Sequence, residues 1–257
     1  MNRIAFEIGN IPVTKYGLTL GFAVMTGIFL LNFFAKKIFP KITSDDVCDF
    51  AFWLTVGGIV CARLWYVVLS ADFYLTYPSE ILAVQHGGLS IQGALAGGAL
   101  AAFLFSRKKN LPFLALTDLC SLVLPICQAI GRLGNYFNGE AFGLPCNLPW
   151  KIYIPFENRP LRYLGYDYFH PTFLYEMIAN IFIFFALLYC FNASKPLNKG
   201  FLTFLYLILY STVRIFIEFI RVDSVLNIFG IPVAVWVSVA FVFIGLGGLF
   251  FVNREKS

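Results

Sequence analysis

Charged residues are scarce in this chain. They make up 13% of its 257 residues, about half the share of roughly 25% found in an ordinary globular domain. With 59% hydrophobic residues and a mean hydropathy of +0.77, there is too little polar surface to coat a soluble body of this size. Metal and disulfide spacings are missing as well. The six cysteines form no CxxC pair and no even framework. Cys48, Cys61, Cys120, Cys127 and Cys190 lie in or beside apolar runs, where Cys behaves as a small apolar residue. Cys146 has no evident partner, so no structural disulfide, no metal site and no cofactor are expected. Disorder is excluded by 30 Phe and 13 Tyr. The net charge of +5 is scattered rather than gathered in a stripe, which argues against nucleic acid as a partner. A cleavable signal peptide is not expected, because Glu7, Gly9 and Pro12 precede an apolar run that is too long for one.

What the chain does have is long, unbroken apolar runs. Seven of them, near 17–35, 48–70, 88–106, 113–131, 172–191, 200–221 and 228–252, are long enough for a hydrocarbon core that needs about 20 helical residues. The runs are continuous rather than alternating, so helices are favoured over a β-barrel. The fold expected is an all-α polytopic membrane protein, one transmembrane domain over 1–257 with seven transmembrane helices. Lysine and arginine fix the orientation. One side carries Lys36, Lys37, Lys41, Arg107, Lys108, Lys109, Lys195, Lys199, Arg254 and Lys256, and the loop 71–85 on the other side has none. The lysine-rich side is therefore expected in the cytosol, with the N-terminus outside and the C-terminus cytosolic. Residues 136–171 are too polar and proline-rich to span, so they are expected to form a small external head.

Ionisable residues inside a span are costly and mark candidate sites. The densest set follows the fourth run, where Arg132, Asn135, Asn138 and Glu140 are interleaved with Gly131, Gly134, Gly139 and Gly143. It reads either as a polar cavity lining or as a polar turn with Arg132 reaching the headgroups. A second set, Arg214, Glu218 and Arg221, shares one helical face with Tyr210. That face is an ion-pair ladder, a phosphate clamp in which Glu218 holds an arginine, or both. A third set, His170, Pro171, Thr172, Tyr175 and Glu176, opens the fifth run, and Arg63 is a candidate partner for one of these carboxylates. Asp118 reads as a charge at a helix N-terminus. In the third run, Gly93 and Gly97, with Ala94 and Gly98, suit tight helix packing, which leaves the polar Gln92 unexplained.

These motifs together resemble the bacterial prolipoprotein diacylglyceryl transferases. Gly131-Arg132-Leu133-Gly134-Asn135-Tyr136-Phe137-Asn138-Gly139-Glu140-Ala141-Phe142-Gly143 is similar to the family signature, with Tyr136 where Phe is usual. His170-Pro171-Thr172-x-x-Tyr175-Glu176, the run Arg214 to Arg221, Tyr16-Gly17 and Gly87-Gly88-Leu89-Ser90 resemble further blocks, in order, over nearly the whole chain. The resemblance implies an enzyme of the bacterial cytoplasmic (inner) membrane. Its partners would be phosphatidylglycerol, a prolipoprotein signal peptide and the surrounding lipids. The reaction implied moves the sn-1,2-diacylglyceryl group of phosphatidylglycerol onto the lipobox cysteine thiol and releases glycerol-1-phosphate. Arg132 and Arg214 would stabilise the phosphate charge, and Asn135 and Asn138 would orient headgroup oxygens. Glu140 would bind glycerol hydroxyls or hold an arginine, and Tyr16 and Tyr210 would line the cavity. Gly143, Glu218, Arg221, His170, Tyr175, Glu176 and His86 complete the candidate binding set.

The chain departs from the family pattern at Gln92, where the family usually has a histidine. Glutamine cannot take a proton at neutral pH. Thiol activation would then fall to the arginine field, to His86 or to His170. A second departure follows Arg221, where Val222-Asp223-Ser224 replaces the usual Pro-Asp, and only Ser238 remains of a Gln–Ser pair. A lipid-binding paralogue with an altered or lost transfer step is the alternative, and a transporter is a second one, although no repeat relates the two halves.

Overall fold

The computed structural model describes residues 4–9, 11–83, 87–193, 198–222 and 227–254. The chain is mostly helical: α1 (Lys15–Ile38), α2 (Ser44–Leu69), the short α3 (Ala71–Thr76), α4 (Ile91–Lys109), α5 (Phe113–Asn138), α6 (Thr172–Asn192), α7 (Phe201–Glu218) and α8 (Val233–Arg254). Among the described residues three two-stranded hairpins lie between or before them: β1–β2 (Ile4–Ile8, Ile11–Thr14), β3–β4 (Ile152–Tyr153, Tyr168–Phe169) and β5–β6 (Asn227–Ile228, Ile231–Pro232). Six helices among the described residues, α1, α2, α5, α6, α7 and α8, are long and apolar enough to cross a membrane, as a polytopic membrane protein requires. The third expected run forms α4, which has eight Ala or Gly among its 19 residues and ends in Arg107, Lys108 and Lys109. That composition makes it the least apolar of the long helices.

Contacts divide the chain into two compact units, residues 1–30 with 120–257, and residues 31–119. In the second unit α2 and α4 run antiparallel. Asp46 in the first turn of α2 pairs with Lys109 at the end of α4, and Thr43 and Asp46 close a capping box ahead of α2. Glycine sets the closeness of the two helices. A Cβ at Gly97 would overlap the Gly57 carbonyl and Cys61, and one at Gly93 would overlap the Cys61 carbonyl and Trp65. Gly98 meets nothing within 4 Å, so it takes no part in this packing. Phe50 and Phe105, both buried, fill the seam with ring centroids 4.9 Å apart.

In the first unit α7 packs on α6 and α8. Gly245 and Gly248 accept Phe204 and Ile208 of α7, where a methyl group would not fit. The segment between α5 and α6 carries a small core of its own, Phe142, Ile154 and Phe169, closed by Ile152, Tyr163 and Val222. Arg159 fastens it by donating from Nε to the Ile154 carbonyl at 2.8 Å and pairing with Asp167 at 2.7 Å. The surfaces of the long helices are strongly apolar: Met25, Phe29, Val68, Phe182 and Phe243 are each about 70% exposed.

Asp118 differs from its expected place. It is the sixth residue of α5, beyond the first turn, and is buried at 8% exposure.

Candidate functional site

The signature residues do not leave the helix as a loop. α5 continues through Asn138, so Arg132, Asn135 and Asn138 occupy its last two turns. Its end is a Schellman cap. Gly139 takes a left-handed φ of +66°, its N–H donates to the Tyr136 carbonyl at 3.1 Å, and the Glu140 N–H donates to the Asn135 carbonyl at 3.0 Å. The side chain of Asn158 donates to the carbonyls of Asn138 (3.0 Å) and Gly139 (3.2 Å), which meets two more helix-end acceptors. Gly134 inside the helix is where Tyr16 packs. A Cβ there would lie 2.7 Å from the Tyr16 ring, so the candidate lining residue at the start of α1 rests against the signature helix.

Residues 141–144 then stitch α5 to α6 and α7. Ala141, fully buried, has a left-handed φ of +56°, a conformation that costs a non-glycine residue about 1–2 kcal/mol. Its carbonyl accepts from the Thr172 hydroxyl at 2.6 Å and the Phe173 N–H at 2.9 Å. The Gly143 N–H donates to the His170 carbonyl at 2.8 Å, the Leu144 N–H to the Ile220 carbonyl at 2.9 Å, and Gly143 bridges Arg221. A methyl group on Gly143 would collide with Ile220, His170 and Thr172. This stitching delivers Glu176 and Arg221 to the end of α5.

The outcome is one carboxylate shared by three guanidiniums. Glu176 Oε2 pairs with Arg132 Nη2. Its Oε1 lies 3.0 Å from Arg214 Nη1 and 3.5 Å from Arg221 Nη1. Arg214 Nη2 reaches Glu218 Oε2 one turn along α7 at 2.6 Å, so its planar fork spans both acids. The two carboxylates are 2% exposed, while Arg132, Arg214 and Arg221 keep 20%, 16% and 14% of their side chains open. The acids therefore sit behind and the cations in front. Among the described residues, three positive charges converge on two negative ones. In addition, Arg132 Nε is buried without an acceptor. Such a cluster can receive an anion with little rearrangement.

The remaining candidates stand around it. Tyr210 stacks on Tyr206 at 5.7 Å, and the Tyr206 hydroxyl donates to Gln128 Oε1 at 3.0 Å, one turn before Arg132. Gln128, Tyr206, Asn158 and the buried Asn180 are polar residues that the motif reading missed. Three of them could have been found by stepping four residues along a helix, from Arg132, Tyr210 and Glu176. Glu140 is exposed and accepts from Asn138 Nδ2 at 3.3 Å, and among the described residues no arginine pairs with it. Tyr175 links Trp150 and His170: the Trp150 indole N–H donates to its hydroxyl at 2.8 Å, and the hydroxyl lies 3.1 Å from His170 Nδ1. The Tyr175 hydroxyl thereby joins the imidazole to the Trp150 indole of the loop.

A family model described as prolipoprotein diacylglyceryl transferase matches residues 3–251. The chain belongs to this family. Relatives named phosphatidylglycerol–prolipoprotein diacylglyceryl transferase share its whole length. The Synechococcus elongatus protein is 42% identical over 254 residues, covering 97% of this chain and 87% of that one. The Nostoc protein is 42% identical over 257 residues, covering 98% and 90%. The Thermotoga petrophila protein is 40% identical over 260 residues, covering 100% and 86%. This full-length likeness does not favour a transporter or a paralogue that has lost the transfer step.

The family's glycine-rich block before α4 has a clear structural use. Arg63, 6% exposed, was expected to pair with a carboxylate, but it binds backbone instead. Its guanidinium donates to the carbonyls of Glu80, Ile81, Ala83, Gly87 and Gly88, with Nε to Ile81 at 2.9 Å and Nη1 to Gly88 at 2.9 Å. Gly87 and Gly88 have left-handed φ of +89° and +76°, and a Cβ on Gly88 would overlap the guanidinium and the Tyr66 ring. Five carbonyl dipoles replace the counter-ion. Gln92 follows in the first turn of α4 and accepts from the Ser90 hydroxyl at 2.6 Å. His86 lies outside the described residues.

Proposed function

We propose that this chain transfers the sn-1,2-diacylglyceryl group of phosphatidylglycerol to the lipobox cysteine of a prolipoprotein. The cysteine sulfur attacks the glycerol sn-3 carbon, a C–S bond forms, and the C–O bond to phosphate breaks. Glycerol-1-phosphate leaves with that oxygen. The observation that carries this reading is the Glu176-centred cluster, whose open face is made of guanidiniums.

As the C–O bond breaks, negative charge gathers on the phosphate. Arg132 and Arg214 are already held by Glu176 and Glu218, so they need little reorientation to meet it. Arg132 Nε still has a donor to offer, and Arg221, 3.5 Å from the same carboxylate, adds a third cation to the open face. Asn135 and Asn138 orient headgroup oxygens, and Glu140, exposed beside Asn138, takes the glycerol hydroxyls. Tyr16 and Tyr210 line the site, while Gly143, His170 and Tyr175 hold its frame. The arginine field favours the thiolate over the thiol, whose pKa is otherwise near 8.5.

The setting proposed is the bacterial cytoplasmic membrane, crossed seven times with α4 included, N-terminus outside and residues 136–171 as the external head. The basic ends of α1, α4 and α8 support that orientation. The test is complementation of a bacterium depleted of its own transferase. Wild-type chain should restore thioether-lipidated lipoproteins, and Arg214→Ala should not. Failure of a well-expressed wild-type chain would overturn the reading.

A further inference from the structure

The unit built from α2 and α4 carries a groove whose lining shares no residue with the Glu176 cluster. It encloses about 380 Å³ and is walled by Trp53, Gly57 and Val60 of α2 and by Gly97, Leu104 and Lys108 of α4. That volume lies in the usual range of small-ligand sites. Because Gly57 and Gly97 let the helices close on each other, they leave a shallow floor between larger side chains. From Gly97 to Lys108 the groove follows α4 for about 16 Å at 1.5 Å per residue, which is about half of a hydrocarbon core roughly 30 Å thick. The wall is apolar along this length and has a single cation, Lys108, at one end. Lys109 beside it is taken up by Asp46, whereas among the described residues no carboxylate pairs with Lys108.

We propose that this groove binds one anionic phospholipid of the cytoplasmic leaflet, with an acyl chain against Gly57 and Gly97 and the phosphate on Lys108. One leaflet of depth, an apolar bed and a basic mouth are the requirements of such a lipid. Bulk lipid would cover the groove without regard to headgroup charge, so headgroup selectivity separates the two. The side of the membrane rests on the orientation proposed above, but the binding itself does not rest on the transferase reading. None of the lining residues belongs to the Glu176 cluster.

The test uses the full-length chain, purified and delipidated in detergent and titrated with dioleoyl-phosphatidylglycerol or dioleoyl-phosphatidylcholine under native mass spectrometry. Transferase turnover is measured on the same samples. Wild type should retain one phosphatidylglycerol more than Lys108→Ala or the groove-filling Ala101→Phe, and Lys108→Ala should weaken that binding about fivefold, the value of one basic residue at an anionic surface. Turnover of Lys108→Ala at saturating phosphatidylglycerol should match wild type. Equal retention by wild type and both variants, or equal affinity for the neutral lipid, would overturn the proposal. Loss of turnover in wild type with selective lipid retention intact would count against the transferase reading alone.

Discussion

Arg132 on α5 and the buried Glu176 on α6 form an ion pair between two helices, and the same carboxylate also holds Arg214 and Arg221. Glu176 is thus the point at which three separate stretches of chain agree on where positive charge is placed. Buried charge is tolerated there because each acid faces at least one fork donor and each arginine keeps an open edge.

Glu176→Gln should therefore do more harm than the loss of one contact. It leaves three guanidiniums around a neutral amide, and removing one partner of a buried pair costs about 3–5 kcal/mol. Thermal unfolding in detergent should show that loss, and Glu176→Asp should recover part of it. A Glu176→Gln protein as stable as wild type would show that the cluster is not organised by this carboxylate.

Arg214→Lys keeps the charge but loses the fork that joins Glu176 to Glu218. A lysine point charge satisfies one acid at a time. Turnover with phosphatidylglycerol should fall about 10²-fold or more, the scale seen when one preorganised charge-stabilising donor is removed. The KM for the lipid should change less than kcat.

Gly143→Ala tests the stitching of residues 141–144. The added methyl would meet Ile220, His170 and Thr172 at 2.8–2.9 Å, and overpacking of this kind costs about 1–3 kcal/mol. A lowered melting temperature is expected together with reduced turnover, because Arg221 is paired with Gly143 through the backbone.

Gln92→His tests how the thiol loses its proton. With the arginine field favouring the thiolate, wild-type turnover should climb with pH toward the thiol pKa. A histidine of pKa near 6.5 is neutral, and so able to accept a proton, above that value. The variant should gain rate most at about pH 7 and level off earlier than wild type. Superimposable pH profiles of the two proteins would remove position 92 from the activation step.

Much of this was legible in the sequence, though unevenly. The apolar runs gave the helices, and helical spacing put Arg214 beside Glu218. Their partner Glu176 was visible only as an acid at the start of a span, because Arg214 and Arg221 are 38 and 45 residues away from it and nothing local encodes that meeting. The Gly131–Gly143 stretch reads from sequence either as a polar cavity lining or as a polar turn after the fourth run. In the fold Gly134 instead admits Tyr16, and the true stop is Gly139. Arg63 was misassigned for a simpler reason: its acceptors are backbone carbonyls, which residue types do not reveal.

The most direct test of the central claim is a single reaction, with purified chain, phosphatidylglycerol and a lipobox peptide in nanodiscs, followed by mass spectrometry. Wild type should yield peptide carrying a thioether-linked diacylglyceryl group and an equal amount of glycerol-1-phosphate. Arg132→Ala, still folded, should yield at least about 100-fold less. No adduct from folded wild type, or full turnover by Arg132→Ala, would contradict the account.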